Sequence, residues 1–154
     1  MEFRHQYDIA LAGAELWPTL MDVHKVAACL DGVEKLDVLD DDRYAGTLAV
    51  KMGPVRLKFE GDVVVTLRDH ENRIGILEAS ARDTRAGGGF KAELHMQLRD
   101  TGGATSQLEI SLNTTFLGRI GELGRPLIKK KINSMLDDFI TSLNRQYTGE
   151  EPAQ

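Results

Sequence analysis

The sequence predicts an α+β fold in which a curved antiparallel sheet wraps one long C-terminal helix and two short helices follow the first strand. Three observations lead there. From Lys35 to Phe116 apolar and polar residues alternate in successive runs, the period of half-buried strands. Short Gly-, Asp- or Pro-bearing links separate these runs, which favours hairpins over crossovers. Residues 118–144 then switch to the helical period, with Ile120, Leu123, Leu127, Ile128, Ile132, Met135, Leu136, Phe139, Ile140 and Leu143 three or four apart. A sheet accompanied by one such helix must bury the helix's apolar face against itself.

Taken in order, Phe3, His5, Tyr7 and Ile9 alternate with Arg4, Gln6 and Asp8 as a first strand. Residues 14–21 (AELWPTLM) form a short helix that Pro18 ends or bends. Asp22 caps a second helix over residues 23–30, and Gly32 stops it. The strand runs are then marked by Tyr44–Met52, residues 55–67, 74–77, 90–98 and 108–116. Gly46, Gly61 and Gly75 inside them predict sharp curvature or bulges. Residues 1–146 make one domain, and residues 147–154 a polar, frayed tail.

Composition narrows the function. The 154 residues suit one domain, with 42% hydrophobic and 28% charged residues. A net charge of −5 argues against a general nucleic-acid binder. Cys29 is the only cysteine, so no internal disulfide forms, and it reads as a small buried apolar residue. His5, on the apolar face of its strand, reads as a satisfied core histidine. His24, His70 and His95 fall on separate elements with no shared spacing, which predicts no metal site. Residues 40–42 lack the calcium-loop pattern, and residues 86–89 lack the Gly-Lys-Ser/Thr of a phosphate loop. Neither a signal core nor an apolar run of about 20 residues is present, which predicts a cytoplasmic protein with at most peripheral contact at the inner face of the membrane.

Several stretches also resemble a known family. Ala28-Cys29-Leu30-Asp31-Gly32-Val33-Glu34 is similar to a Cys-x-Pro-Gly-Cys segment, and Lys51-Met52-Gly53-Pro54-Val55 with Phe59-Glu60-Gly61 to Lys-x-Gly-Pro-Val…Phe-x-Gly. With Gly118-Arg119-Ile120-Gly121-Glu122-Leu123-Gly124 and the helix after it, these resemble the carbon monoxide dehydrogenase G-subunit family of the START-like helix-grip superfamily (SRPBCC). Asp31 and Val33 replace the family's proline and second cysteine, so a role for that cysteine pair is not implied. Glu150-Glu151-Pro152-Ala153-Gln154 does not resemble the family's frequent C-terminal membrane extension, so that extension is not expected here. The resemblance implies a non-catalytic accessory protein linked to a molybdenum hydroxylase of the carbon monoxide dehydrogenase type and to its membrane attachment. It also implies a quinone- or lipid-like molecule held between sheet and helix, with no other cofactor.

Within that geometry Phe59, Phe90, Leu94, Met96, Leu123, Leu127 and Met135 are the expected ligand contacts. Turn parity sends residues 40–42, 69–72 and 100–103 to one acidic end. The links at 53–54, 82–89 and 117–126 gather at the other end, which is basic. Gly53, Pro54, Gly88, Gly121 and Gly124 are expected at a pocket mouth there, because helix-grip pockets open at the glycine-rich end. Arg85, Arg119, Arg125, Lys129, Lys130 and Lys131 are expected to dock an anionic membrane or an acidic partner protein.

No catalytic residue is expected. The rival reading is a helix-grip cyclase, dehydratase or hydrolase acting on a small hydrophobic substrate through His5 or Tyr7 with Glu78, which requires Glu78 to face the cavity. A third reading is an interaction module with its cavity filled by side chains. The helix divides into a front wall and a rear anchor, so Gly124→Leu should cost more ligand binding and less stability than Phe139→Ala. Binding and urea-denaturation measurements on the two variants would test the division, and the opposite order would undo it.

Overall fold

The computed structural model describes residues 1–85 and 87–147. Strand β1 (Glu2–Ile9) leads to helices α1 (Gly13–Leu20) and α2 (Val23–Ala28). Strands β2 (Val33–Val38), β3 (Arg43–Met52), β4 (Val55–Asp69), β5 (Ile74–Asp83), β6 (Gly88–Gly102) and β7 (Thr105–Gly118) follow. A short 3-10 helix (Arg119–Leu123) and the long helix α3 (Arg125–Tyr147) close the chain. Tyr147, expected in the tail, instead ends α3 and packs on the rear core. The rest of the expected tail, from Thr148 onward, lies outside the described residues.

The sheet has seven antiparallel strands in the order β1-β7-β6-β5-β4-β3-β2. From β2 to β7 each strand pairs with its sequence neighbour, so successive turns fall at opposite ends, as turn parity requires. β1 returns to pair with β7, matching Phe3 with Leu112 and Ile9 with Ser106.

Curvature has a visible cause. Gly46 faces Gly61 across β3 and β4, and Gly61 faces Ala81 on β5. A Cβ on Gly61 would lie 2.0 Å from the Ser80 carbonyl oxygen, and one on Gly46 2.7 Å from that of Lys35. Neighbouring backbone therefore folds over these positions, where a side chain would block it. Register shifts occur elsewhere, between Val33 and Lys35, Val65 and Leu67, and Asp100 and Gly102. Gly75 has another purpose: its missing Cβ leaves room for Met21 Cε, at 3.1 Å.

Three local expectations change. The stretch 118–144 is not one helix. Gly124, at φ +91°, separates the 3-10 helix from α3, and Pro126 sits in the first turn of α3, where its missing N–H removes no intrahelical bond. At 23 residues α3 is about 35 Å long. α1 continues past Pro18 to Leu20 rather than ending there, and α2 stops at Ala28 with Asp22 accepting from the N–H groups of His24 and Lys25. The edge strand β2 begins at Val33, two residues before the alternation that starts at Lys35, because its register shifts between Val33 and Lys35.

Side chains pack in two cores. A rear core at the acidic end joins Ile9, Leu16, Trp17, Leu20, Cys29, Met96, Leu98, Leu108 and Ile110 to Phe139, Ile140 and Leu143 of α3. A front core at the basic end holds Val50, Met52, Leu57, Phe59, Ile120 and Ile128. Polar contacts fasten α1 and α2 over the rear. The N–H of Gly13 and Nη1 of Arg73 each donate to Asp100 at 2.9 Å, and together they hold its carboxyl below the usual range, Arg73 having the larger effect. Trp17 Nε1 donates to His70 Nδ1 at 3.0 Å, and Arg68 Nη1 to the Met21 carbonyl at 2.8 Å.

Phe139 is 8% exposed in the rear core, so Phe139→Ala should cost about 3–5 kcal/mol. Asp22→Ala, which removes only a cap, should cost about 1 kcal/mol. Urea denaturation measures both, and a cap variant less stable than the core variant would contradict this division of labour.

Candidate functional site: an apolar interior between two cores

The two cores do not meet in the middle of the sheet. Val63, Ala79 and Ala92 stand opposite one another across β4, β5 and β6, and Val65, Leu77, Leu94 and Leu112 form the next rung across β4 to β7. Apart from Leu94, which packs on the rear core, these residues belong to neither core. All seven are only partly buried, while Asp62, Glu78, Glu93 and Asn113, of opposite phase, are exposed. Central strand residues lying directly beneath a seated helix would be fully buried. Solvent therefore reaches an apolar stretch of the sheet's inner face between the two cores.

Polar groups line one side. His5 Nε2 shares a hydrogen bond of 2.9 Å with Asn133 Oδ1, and the Tyr7 hydroxyl donates to Asp137 Oδ1 at 3.1 Å. The two rings stack with centroids 5.7 Å apart. These contacts pin α3 to β1. Burial first, then the hydrogen bond and the charge of Asp137, raise the Tyr7 pKa, so its hydroxyl stays protonated and able to donate.

On the other flank of α3 lies a cleft of about 330 Å³. Leu30 and Asp31 bound it from the α2–β2 link, Ala49, Val50, Lys51, Arg56 and Leu57 from β3 and β4, and Lys131, Met135 and Asp138 from α3. A second opening of about 330 Å³ lies between α1–α2 and the β2–β3 hairpin, lined by Met21, Asp22, His24, Asp40, Asp41 and Tyr44 among others.

The expected ligand contacts frame the interior rather than line one pocket. Phe59 and Phe90 pack edge to face at 4.9 Å in or against the front core, beside Leu123, Leu127 and Met135. Leu94 and Met96 belong with the rear core. Met135 also lines the α3–β3 cleft. At the glycine-rich end Ile120 and Ile128 are 1% and 2% exposed, and Leu127 lies over the turn at Gly53 and Pro54, its δ carbons 3.6 Å from where a Gly53 Cβ would be. Gly88 and Gly118 let β6 and β7 approach closely, whereas Gly121 is exposed. Because Gly124 has positive φ, Gly124→Leu would add backbone strain to any filling effect and cannot separate the two.

Of the basic residues, Arg85, Arg119, Arg125, Lys129 and Lys130 are exposed and Lys131 is partly buried. None makes an ion pair within 4.0 Å among the described residues. The N–H of Arg119 bonds the Gly87 carbonyl at 3.0 Å, which joins the β5–β6 turn to the start of the 3-10 helix.

Glu78 is exposed and out of phase with Leu77 and Ala79, so the set His5, Tyr7 and Glu78 is not assembled. No trio of His, Cys, Asp or Glu among the described residues could hold a metal. Cys29 is buried in the rear core, which raises its thiol pKa. Pattern reading missed the floor residues Val63, Ala79, Ala92 and Leu112. Their signal was small size at inward positions, Ala79 and Ala92 lying beside Gly61 and Ala81.

The geometry has solved counterparts. A conserved protein from Geobacillus kaustophilus matches with a TM-score of 0.88 at 17% identity, over 99% of this chain and 98% of that one. A START superfamily protein from Mycobacterium smegmatis matches with a TM-score of 0.70 at 11% identity, over 96% and 97%. The Zhui aromatase/cyclase from Streptomyces sp. R1128 matches with a TM-score of 0.61 at 13% identity, over 99% of each chain. At these identities the likeness establishes the helix-grip fold alone. No curated protein matches the sequence. The family model for the carbon monoxide dehydrogenase G-subunit (CoxG) matches residues 6–148. With that match spanning nearly its whole length, the chain belongs to the CoxG family.

Proposed function

We propose that this protein is a non-catalytic accessory protein that holds a quinone- or lipid-like molecule between its sheet and α3. In this reading it serves a molybdenum hydroxylase of the carbon monoxide dehydrogenase type. The observation carrying the proposal is the apolar floor left between the two cores, with Val63, Val65, Leu77, Ala79, Ala92 and Leu112 partly uncovered beneath a bridging helix. Apolar space with a few hydrogen-bonding groups at its edge, here His5 and Tyr7, is what binding an apolar ligand requires. The family name supplies the link to the hydroxylase.

Docking falls to the basic end. No described helix is long and apolar enough to cross a membrane. Arg85, Arg119, Arg125, Lys129 and Lys130 are exposed around one end, where each cation near an anionic surface contributes about 1 kcal/mol. The enzyme reading draws on the stacked His5 and Tyr7 and on the fold shared with an aromatase/cyclase. Turnover that is lost in both His5→Ala and Tyr7→Phe would favour it.

Organic extraction of the purified protein followed by mass spectrometry should release an apolar molecule. Added ubiquinone or menaquinone analogues should bind saturably. Ala92→Leu should weaken that binding about tenfold while lowering stability less than Phe139→Ala does. A protein that neither retains nor binds apolar molecules would sink the proposal. Liposome binding should rise with anionic lipid and fall with salt, and indifference to both would remove the membrane arm.

A further inference from the structure

The sheet ends on β2, which bonds β3 on one side and no strand on the other. The N–H of Leu39 donates to the Arg43 carbonyl at 2.9 Å, so odd-numbered residues of the hairpin turn their main-chain groups toward the partner strand. On β3 the N–H of Ala49 likewise faces the β2 side, donating to the Gly32 carbonyl at 2.8 Å. Successive strand residues alternate in the direction of their N–H and C=O groups. Those of Leu36 and Val38 therefore point out of the sheet. They meet no hydrogen-bond partner there among the described residues. Such an edge is a template for another strand.

Val38 also lines the opening of about 330 Å³ between α1–α2 and the β2–β3 hairpin. It stands opposite the buried Tyr44 and shares its face of the sheet, so its side chain is directed to the groove. Yet Val38 is 53% exposed, and Leu39 next to it 60%. Pro18, Met21 and Val23 add apolar surface from the facing helices. The charged side chains of the lining are Asp22, Asp40 and Asp41, with His24 and with neither Lys nor Arg. Neighbouring cations are already engaged. Arg68 bonds Asp42, the carbonyls of Met21 and Asp41 and the Tyr44 hydroxyl, and Arg43 lies 4.0 Å from Asp40. Lys25 is exposed on α2 outside the lining. Asp22 and Asp41 make no ion pair within 4.0 Å among the described residues.

We infer that the β2 edge and its groove bind an extended basic segment of a partner protein by strand addition. The segment's main chain pairs with Leu36 and Val38, an apolar side chain covers Val38, and Lys or Arg side chains meet Asp22 and Asp41. Only a peptide supplies all three: main-chain donors and acceptors at strand spacing, apolar cover and positive charge. A lipid lacks the first. The β2 of a second copy would bring its own Glu34, Asp37, Asp40 and Asp41 to an edge already rich in carboxylates. The surface lies at the acidic end, away from Arg85, Arg119 and Arg125, so the two ends can be engaged together. It does not depend on the carrier reading, because none of its residues belongs to the apolar floor.

Fluorescence anisotropy with labelled, end-blocked heptapeptides tests the inference. Lys-Val-Lys-Ile-Arg-Val-Lys should bind saturably at low salt, about tenfold more tightly than Glu-Val-Glu-Ile-Glu-Val-Glu. Of the two forms of the basic peptide N-methylated on alternate amides, one should bind about tenfold more weakly and the other nearly as well, because strand addition uses every second amide. Val38→Pro removes an N–H that the ladder does not use, and should weaken the basic peptide about tenfold with little change in thermal midpoint. Asp22→Asn with Asp41→Asn keeps the α2 cap, and should cut the preference for the basic peptide below about threefold. Equal affinity for the two peptides, equal behaviour of the two methylated forms, or binding that survives both variants overturns the inference. A concentration-dependent dimer in sedimentation that Val38→Pro dissolves assigns the edge to a second copy and overturns it as well.

Discussion

One helix about 10 Å wide cannot cover the concave face of four central strands spaced about 4.8 Å apart. The rest of the structure follows from that mismatch. The chain covers the face at both ends with additional elements, α1 and α2 at the rear and the 3-10 helix at the front. α3 contributes Phe139, Ile140 and Leu143 to one core and Ile128 to the other, and so spans the interval between them. Stability is concentrated in the two cores, which leaves the central rungs free to face a ligand. The glycines at 46 and 61 are part of the same solution, because they permit the curl that lifts the sheet around the helix.

The interior is asymmetric along its flanks. On the β1 side, His5 and Tyr7 reach α3 through side-chain hydrogen bonds to Asn133 and Asp137. On the β3 side the lining of the cleft supplies no ion pair between α3 and the strands among the described residues. A hydrogen-bonded flank resists separation more than a flank held by apolar contact alone. The ends differ as well. Arg68 and Arg73 tie the acidic end to α1 and to its own turns, whereas cations at the basic end remain free to meet a partner.

Much of this was legible in the sequence because it depends on local period and on turn spacing. The alternation around Phe59 and Phe90, the helical period from Ile128 to Leu143 and the parity of the turns each determine position without tertiary information. What failed to show depends on three-dimensional context. β2 is short and its register slips after Val33, so the alternation from Lys35 marks its end but not its start. Of the large residues expected as ligand contacts, Phe59 and Met96 sit within the two cores and Leu127 packs against the front one, a placement that needs tertiary information. Small inward residues such as Ala79 and Ala92 stay partly uncovered between the cores. The opposition of Lys51 and Arg56 needs the hairpin register. Glu78 illustrates the converse: its alternation phase, out of step with Leu77, already placed it outside.

The central claim is that α3 bridges an apolar interior able to accept a ligand. Methyl-resolved NMR during titration with a menaquinone analogue tests it most directly. The methyl groups of Val63, Val65, Leu77, Ala79, Ala92 and Leu112 should shift together and saturate, while those of Leu16 and Leu143 deep in the rear core move little. Shifts confined to exposed side chains such as Leu39 and Leu117, with the floor methyls unchanged, would contradict it.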